Sequence, residues 1–160
     1  MTTPFVFSFL RNGAESKDMA VDGSSTPVVF KYTGTGNGLY AYRINWIIAD
    51  AGIRIYDFFG GVAALTNGIT IKAIAADDST VLIDFTNGEP IKRNAEFSSL
   101  AGTDAPILDS VGTDILSVRW TLEKAGEPFK LGLGESIQVT IQDDLTGLTE
   151  MSAMIQGQRQ

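Results

Sequence analysis

Residues 39–50, LYAYRINWIIAD, constrain the fold more than any other stretch. At a period of two, one face carries Tyr40, Tyr42, Ile44, Trp46 and Ile48, and the other carries Leu39, Ala41, Arg43, Asn45 and Ile47. Successive side chains of a strand point to opposite sides, so this pattern predicts a long strand with one wide apolar face and one mixed face. A helix would scatter Arg43 and Asn45 among the aromatic residues. The strand is long enough to cross a whole sheet, and the other strands must pair with it or pack on it.

The rest of the protein repeats the pattern in shorter pieces. Alternation predicts strands at residues 5–10, 28–32, 53–59, 69–75, 81–85, 114–122, 128–131, 136–142 and 151–155. Residues 19–21 and 28–32 read as the arms of a hairpin, and 69–75 with 81–85 as another, turned by Asp77-Asp78-Ser79-Thr80. Asn12-Gly13, Asn67-Gly68 and Asn87-Gly88 are turn pairs, and Lys124-Ala125-Gly126 suits a three-residue hairpin loop. In residues 114–122, Leu116, Val118, Trp120 and Leu122 share the inward face; in 136–142, Ile137, Val139 and Ile141 do. Asn94 can cap one helical turn through Glu96 and Phe97. About nine short strands with turn signals roughly ten residues apart predict an all-β protein. Its form is an antiparallel β-sandwich or a jelly-roll-like barrel, with at most one or two short helices.

The 160 residues read as a single domain, long enough to bury roughly 70% of the surface it exposes when unfolded. Residues 1–4 form an N-terminal arm that Pro4 keeps out of regular pairing, residues 89–114 a long irregular segment, and residues 157–160 a polar tail. There is no cysteine, which excludes a disulfide scaffold and a thiolate zinc site. There is no histidine, which removes the commonest general base and metal ligand and every Ser-His or Cys-His pair. The net charge of −7 is the wrong sign for nucleic-acid backbone and for anionic membrane, so neither is an expected partner. MTTPFVFSFL lacks the basic lead and small-residue cleavage site of a signal peptide, which predicts a protein that is not exported by that route.

Candidate chemistry is sparse. Thr33-Gly34-Thr35-Gly36-Asn37-Gly38 has the glycines of a phosphate cradle but opens into a strand where an anion site needs a helix. Asp77-Asp78 and Asp143-Asp144 lack the ligand spacing of a calcium loop and suit turns, where aspartate bonds its own backbone. A glycosidase needs two carboxylates about 5 to 9 Å apart in a cleft, which a sequence does not display. Tyr40, Tyr42, Trp46 and Trp120 would make a sugar-stacking platform if exposed, but they share their stripes with Ile44, Ile48, Val118 and Leu122, which places them in the core. The expectation is a non-enzyme without cofactor or metal. Ile91, Phe97, Leu100, Ile107, Leu108 and Val111 lie in the 89–114 segment without strand or helix periodicity. Apolar groups that the protein's own sheets do not cover are covered by a neighbour, so these six and the arm are the expected partner contacts.

Three runs carry a resemblance: Leu65-Thr66-Asn67-Gly68-Ile69, Leu116-Ser117-Val118-Arg119-Trp120, and residues 133–145, LGESIQVTIQDDL. Their order resembles small virion proteins of tailed bacteriophages. The resemblance implies a capsid decoration or cement protein on the capsid surface. Such a protein is made in the host cytoplasm, is oligomeric with a trimer favoured, and binds the lattice of the major capsid protein. The sequence is short for a shell protein of that class and lacks its long helix, which favours the accessory role. No functional residues carry over. The alternative is a carbohydrate-binding module or tail-fibre adhesin, which would need its aromatic residues exposed on one flat face.

Overall fold

The computed structural model describes residues 3–8, 10–11, 18–36, 38–50, 57–93, 96, 102–103, 107–108 and 114–159. They form two antiparallel sheets with one core between them. The first sheet holds β1 (Thr3–Ser8), β4 (Leu39–Asp50), β7 (Gly102–Thr103), β8 (Ile107–Leu108), β9 (Asp114–Thr121), β10 (Glu123–Lys124), β11 (Glu127–Leu131) and β13 (Glu150–Arg159). The second runs in the order β2 (Leu10–Arg11), β3 (Val28–Thr33), β12 (Ser136–Ile141), β5 (Ile69–Ile74), β6 (Val81–Asp84). The all-β sandwich is thus the expected fold. It is built from more strands than expected, because several are two-residue pieces at the margins.

β4 is the strand around which the first sheet is built. β13 pairs along one flank from Leu39 to Ala49. The other flank is shared: β11 pairs with Leu39, Tyr40 and Ala41, and β9 takes over from Arg43 to Asp50. At the handover β4 carries a bulge. Arg43 faces Gln156 and Ala41 faces Gly157, so Tyr42 is an extra residue with no opposite number on β13. One inserted residue moves every later side chain to the other face. Leu39 and Ala41 therefore point into the core before the bulge, and Ile44, Trp46 and Ile48 after it. This corrects the single apolar face expected for the strand: Tyr40 and Tyr42 are half-buried on the outer side. There the Tyr42 hydroxyl donates to Gln158 Oε1 (2.6 Å), Arg43 Nε donates to Gln156 Oε1 (2.7 Å), and Lys130 Nζ lies 5.6 Å from the Tyr40 ring centre. Gly157 permits the bulge, since a Cβ there would sit 2.2 Å from the Tyr40 carbonyl oxygen.

Facing strands fill the core as alternation requires. Ile137, Val139 and Ile141 of β12, Leu116, Val118 and Trp120 of β9, and Leu122 are buried, with Phe30, Ile69 and Ile71. Each large apolar side chain removed from water in this way contributes about 1.5–3 kcal/mol. Aromatic pairs span the two sheets at both margins: Phe7 with Tyr32 (4.6 Å between ring centres) and Phe85 with Phe129 (5.9 Å, edge to face).

Several local expectations are corrected. Thr3 and Pro4 do not belong to a free arm; they pair with Arg159 and Gln158, and Pro4 is tolerated because β1 is an edge strand. The expected polar tail is strand too: Gly157, Gln158 and Arg159 pair with β1 on one side and β4 on the other. Residues 19–21 are not a hairpin arm. Met19 N donates to Met151 O, Leu145 N donates to Val21 O, and β3 pairs with β2 and β12 instead. In the expected strand at 53–59, residues 57–59 form a turn in which Phe59 and Val62 bond each other; 53–56 lie outside the described residues. The β10–β11 turn has two residues rather than three, with Ala125 and Gly126 both left-handed (φ 54° and 82°). The 89–114 segment is not wholly irregular, because β7 and β8 both pair with β9. Glu96 is helical, and its carboxylate accepts from the backbone N–H of Lys92 and Arg93. Asn94, its expected cap, and the Asn12-Gly13 turn lie outside the described residues.

Candidate partner-binding surface

Of the six apolar residues expected at a partner contact, Ile91 belongs to the protein's own core. It is fully buried, and its N–H and C=O each bond Ile69 (2.9 Å). A side chain in that position has nothing to offer a partner. Ile107 and Leu108 form β8, opposite Ile115 and Asp114. Phe97, Leu100 and Val111 lie outside the described residues.

The largest apolar exposure among the described residues is elsewhere, at one end of the sandwich. Leu133, between Gly132 and Gly134 in the β11–β12 turn, is 73% exposed. The turn that carries it is tied down. Gly132 N donates to Glu135 Oε2 (2.7 Å), Gly34 N to Glu135 O (2.7 Å), and Gly134 N to Gly34 O (3.0 Å). Glycine is required at the contact, since a Cβ on Gly34 would lie 2.2 Å from Gly132 O. Gly134 is left-handed (φ 76°), and a Cβ there would come within 3.1 Å of Ala76 in the β5–β6 turn. Val81 follows that turn at 48% exposure, on edge strand β6, opposite Ile74, which in turn faces Ser136. Leu82 beside it is also exposed. The structure thus brings Leu133, Val81 and Leu82 to the same end as the acidic turn. In the sequence Leu133 leaves only a faint signal, a lone large apolar residue between two turn glycines.

That apolar end has an anionic rim. Asp77 accepts from Thr80 Oγ1 (2.5 Å), Thr80 N (2.8 Å) and Ser79 N (2.9 Å). Those donors, the Thr80 hydroxyl foremost, lower its pKa to about 2. Asp78 is paired with Lys31 Nζ (3.1 Å) and accepts from Gln138 Nε2 (2.8 Å).

Several other acids fasten loops. Asp143 is buried at the end of β12, and its carboxylate accepts backbone N–H bonds from Thr66 (2.9 Å), Asn67 (3.0 Å) and Gly68 (2.5 Å). Its neighbour Asp144 bonds Thr146 N (2.9 Å) and Oγ1 (2.6 Å). Asp50 accepts from Gly61 N (2.6 Å). A shallow cleft of about 200 Å³ is lined by Ile83, Asp84, Phe85, Asn87, Trp120, Thr121 and Glu123. Asp84 is occupied there by Thr86 N (2.9 Å) and Oγ1 (2.5 Å) and by Lys72 (3.8 Å). Among the described residues no three metal-ligating side chains converge. Trp46 and Trp120 are core residues, so a flat stacking platform loses both indoles and keeps Tyr40 and Tyr42. No helix among the described residues is long and apolar enough to cross a membrane.

No known protein family, no curated protein and no solved structure matches this sequence and fold.

Proposed function

We propose that the protein is a non-enzymatic structural component of a virion, a bacteriophage capsid decoration or cement protein that binds and stabilises the lattice of the major capsid protein. The observation that carries this reading is Leu133. A large apolar side chain on a backbone-locked turn loses little conformational freedom on docking, and an exposed apolar patch with a polar rim is a protein-contact feature. Val81 and Leu82 are exposed at the same end of the sandwich, beside the Asp77–Asp78 turn. The complementary partner surface is an apolar pocket with basic residues around it. Assembly of the protein into a trimer, through the 89–114 segment, belongs to the same reading.

The test is electron microscopy and co-sedimentation with capsids of the phage that carries the gene. Added density on the capsid exterior supports the proposal, and Leu133→Asp should abolish co-sedimentation without lowering the melting temperature. A wild-type protein that stays monomeric and never sediments with capsids overturns it.

A further inference from the structure

Two Asn-Gly turns among the described residues share a sequence and differ in chemistry. In such a pair the glycine N–H, once deprotonated, attacks Cγ of the asparagine amide. The bond from Cγ to Nδ2 breaks, ammonia leaves and a five-membered succinimide forms. Water then opens the ring at either carbonyl, giving aspartate or isoaspartate. Water is the sole co-reactant and ammonia the sole by-product.

At Asn67-Gly68 every participant is held. Gly68 N donates to the Asp143 carboxylate (2.5 Å), which engages the proton that must leave. Asn67 Nδ2 donates to Gln142 O (3.2 Å), drawing the amide toward β12. Gly68 is buried, and a Cβ on it would lie 2.8 Å from Ile91 O and from Pro90, so the backbone has no room to swing. At Asn87-Gly88 none of this applies. The pair is the exposed tip of a two-residue turn with φ of 53° and 77°, closed behind by Glu89 N to Thr86 O (2.9 Å). Nothing lies within 4 Å of a Cβ built on Gly88, and no described group accepts from its N–H.

We infer that Asn87 is a self-modification site, converted through succinimide to aspartate and isoaspartate, and that Asn67 is protected by Asp143. Conversion has a local consequence. It sets a new carboxylate beside Asp84 and Glu123 in the cleft, and the isoaspartate product adds a methylene to the backbone of a two-residue turn. A hydrogen bond to a charged acceptor must break before Gly68 can react, so Asn67 should convert roughly ten- to a hundredfold more slowly than Asn87.

The experiment incubates the folded protein at mildly alkaline pH and follows each site by peptide-mapping mass spectrometry, with isoaspartate resolved chromatographically. The expected result is mixed aspartate and isoaspartate at Asn87 with Asn67 intact. An intact Asn87, or equal rates at both sites, overturns the inference. Asp143→Asn separates the cause: conversion of Asn67 should rise toward that of Asn87, and a folded variant with an unchanged Asn67 rate removes Asp143 as the protecting group. The wild-type comparison decides the assignment of Asn87 without that variant.

Discussion

β4 and β12 are each the middle strand of a sheet, and they hold their faces differently. β12 pairs in unbroken register with β3 and β5, and from Ile137 to Ile141 its buried side chains alternate as its sequence does. β4 changes face at Tyr42 because one residue is inserted against β13. Which side chains enter a core is therefore a property of a strand and its partner together. Nothing in LYAYRINWIIAD marks the insertion. The enabling residue is Gly157, far along the sequence, whose missing Cβ makes room for the Tyr40 carbonyl.

The largest expected effect tests the half of β4 beyond the bulge. Trp46→Ala should cost about 3–5 kcal/mol, as should Trp120→Ala from the facing strand, the range for emptying a large aromatic site in a core. Tyr40→Ala, on the outer side before the bulge, should cost well under Trp46→Ala in the same urea melts. A loss at Tyr40 comparable to that at Trp46 would mean the strand runs through without changing face.

Next comes the bulge itself. Gly157→Ala sets a Cβ 2.2 Å from a backbone oxygen, a contact no side-chain rotation relieves. About 1–3 kcal/mol of destabilisation is expected, typical of overpacking against backbone. A neutral Gly157→Ala would indicate that β13 and β4 are not in this register.

Much of the fold was legible because most strands keep their register. β9, β12 and the Asn67-Gly68, Asp77–Thr80 and Asn87-Gly88 turns could be read directly, since period-two burial and left-handed turn residues leave local marks. Strands at the margins could not. Thr3, Pro4, Gln158 and Arg159 have no apolar pattern, and they are placed by strand pairing, with one another and, for Gln158 and Arg159, with β4, which needs no apolar side chain. The candidate contact surface was the least legible part. Ile91 lacked periodicity yet fills the core, because an isolated bridge to Ile69 buries one residue without making a strand. Leu133 sits in a short turn, and its exposure depends on Gly34 and Glu135 bracing that turn from outside it.

A smaller effect probes the outer side of the bulge. Tyr42→Phe removes the hydrogen bond to Gln158 Oε1 and leaves the ring. A part-exposed bond of this kind contributes about 0.5–1.5 kcal/mol, so the loss should be a fraction of that at Trp46. Should Tyr42→Phe match Trp46→Ala, Tyr42 would have to be a buried residue with an unsatisfied partner, and the outward placement would fail.

The smallest expected effect lies in the other sheet, at the turn between β5 and β6. Thr80 and Ser79 hold Asp77 at a pKa of about 2, below the ordinary carboxylate value. A group whose folded pKa is depressed adds stability that is full above its unfolded pKa and is lost as the pH falls through the folded one. For Asp77 that window runs from about pH 4, the unfolded value, down to about pH 2. Because Asp77 is exposed, the readout is the titration itself rather than a melt. In an NMR titration of the Asp77 carboxyl, Thr80→Ala should raise its pKa toward the ordinary range, since it removes the foremost donor and leaves two backbone N–H groups. The bulge in β4 should be indifferent to the same acidification, because it is held by Gly157 and by neutral and cationic groups, Tyr42 to Gln158 and Arg43 to Gln156. A Thr80→Ala titration that leaves Asp77 unmoved would show that the turn backbone alone sets its pKa, and that the hydroxyl contact at 2.5 Å contributes nothing to holding this hairpin.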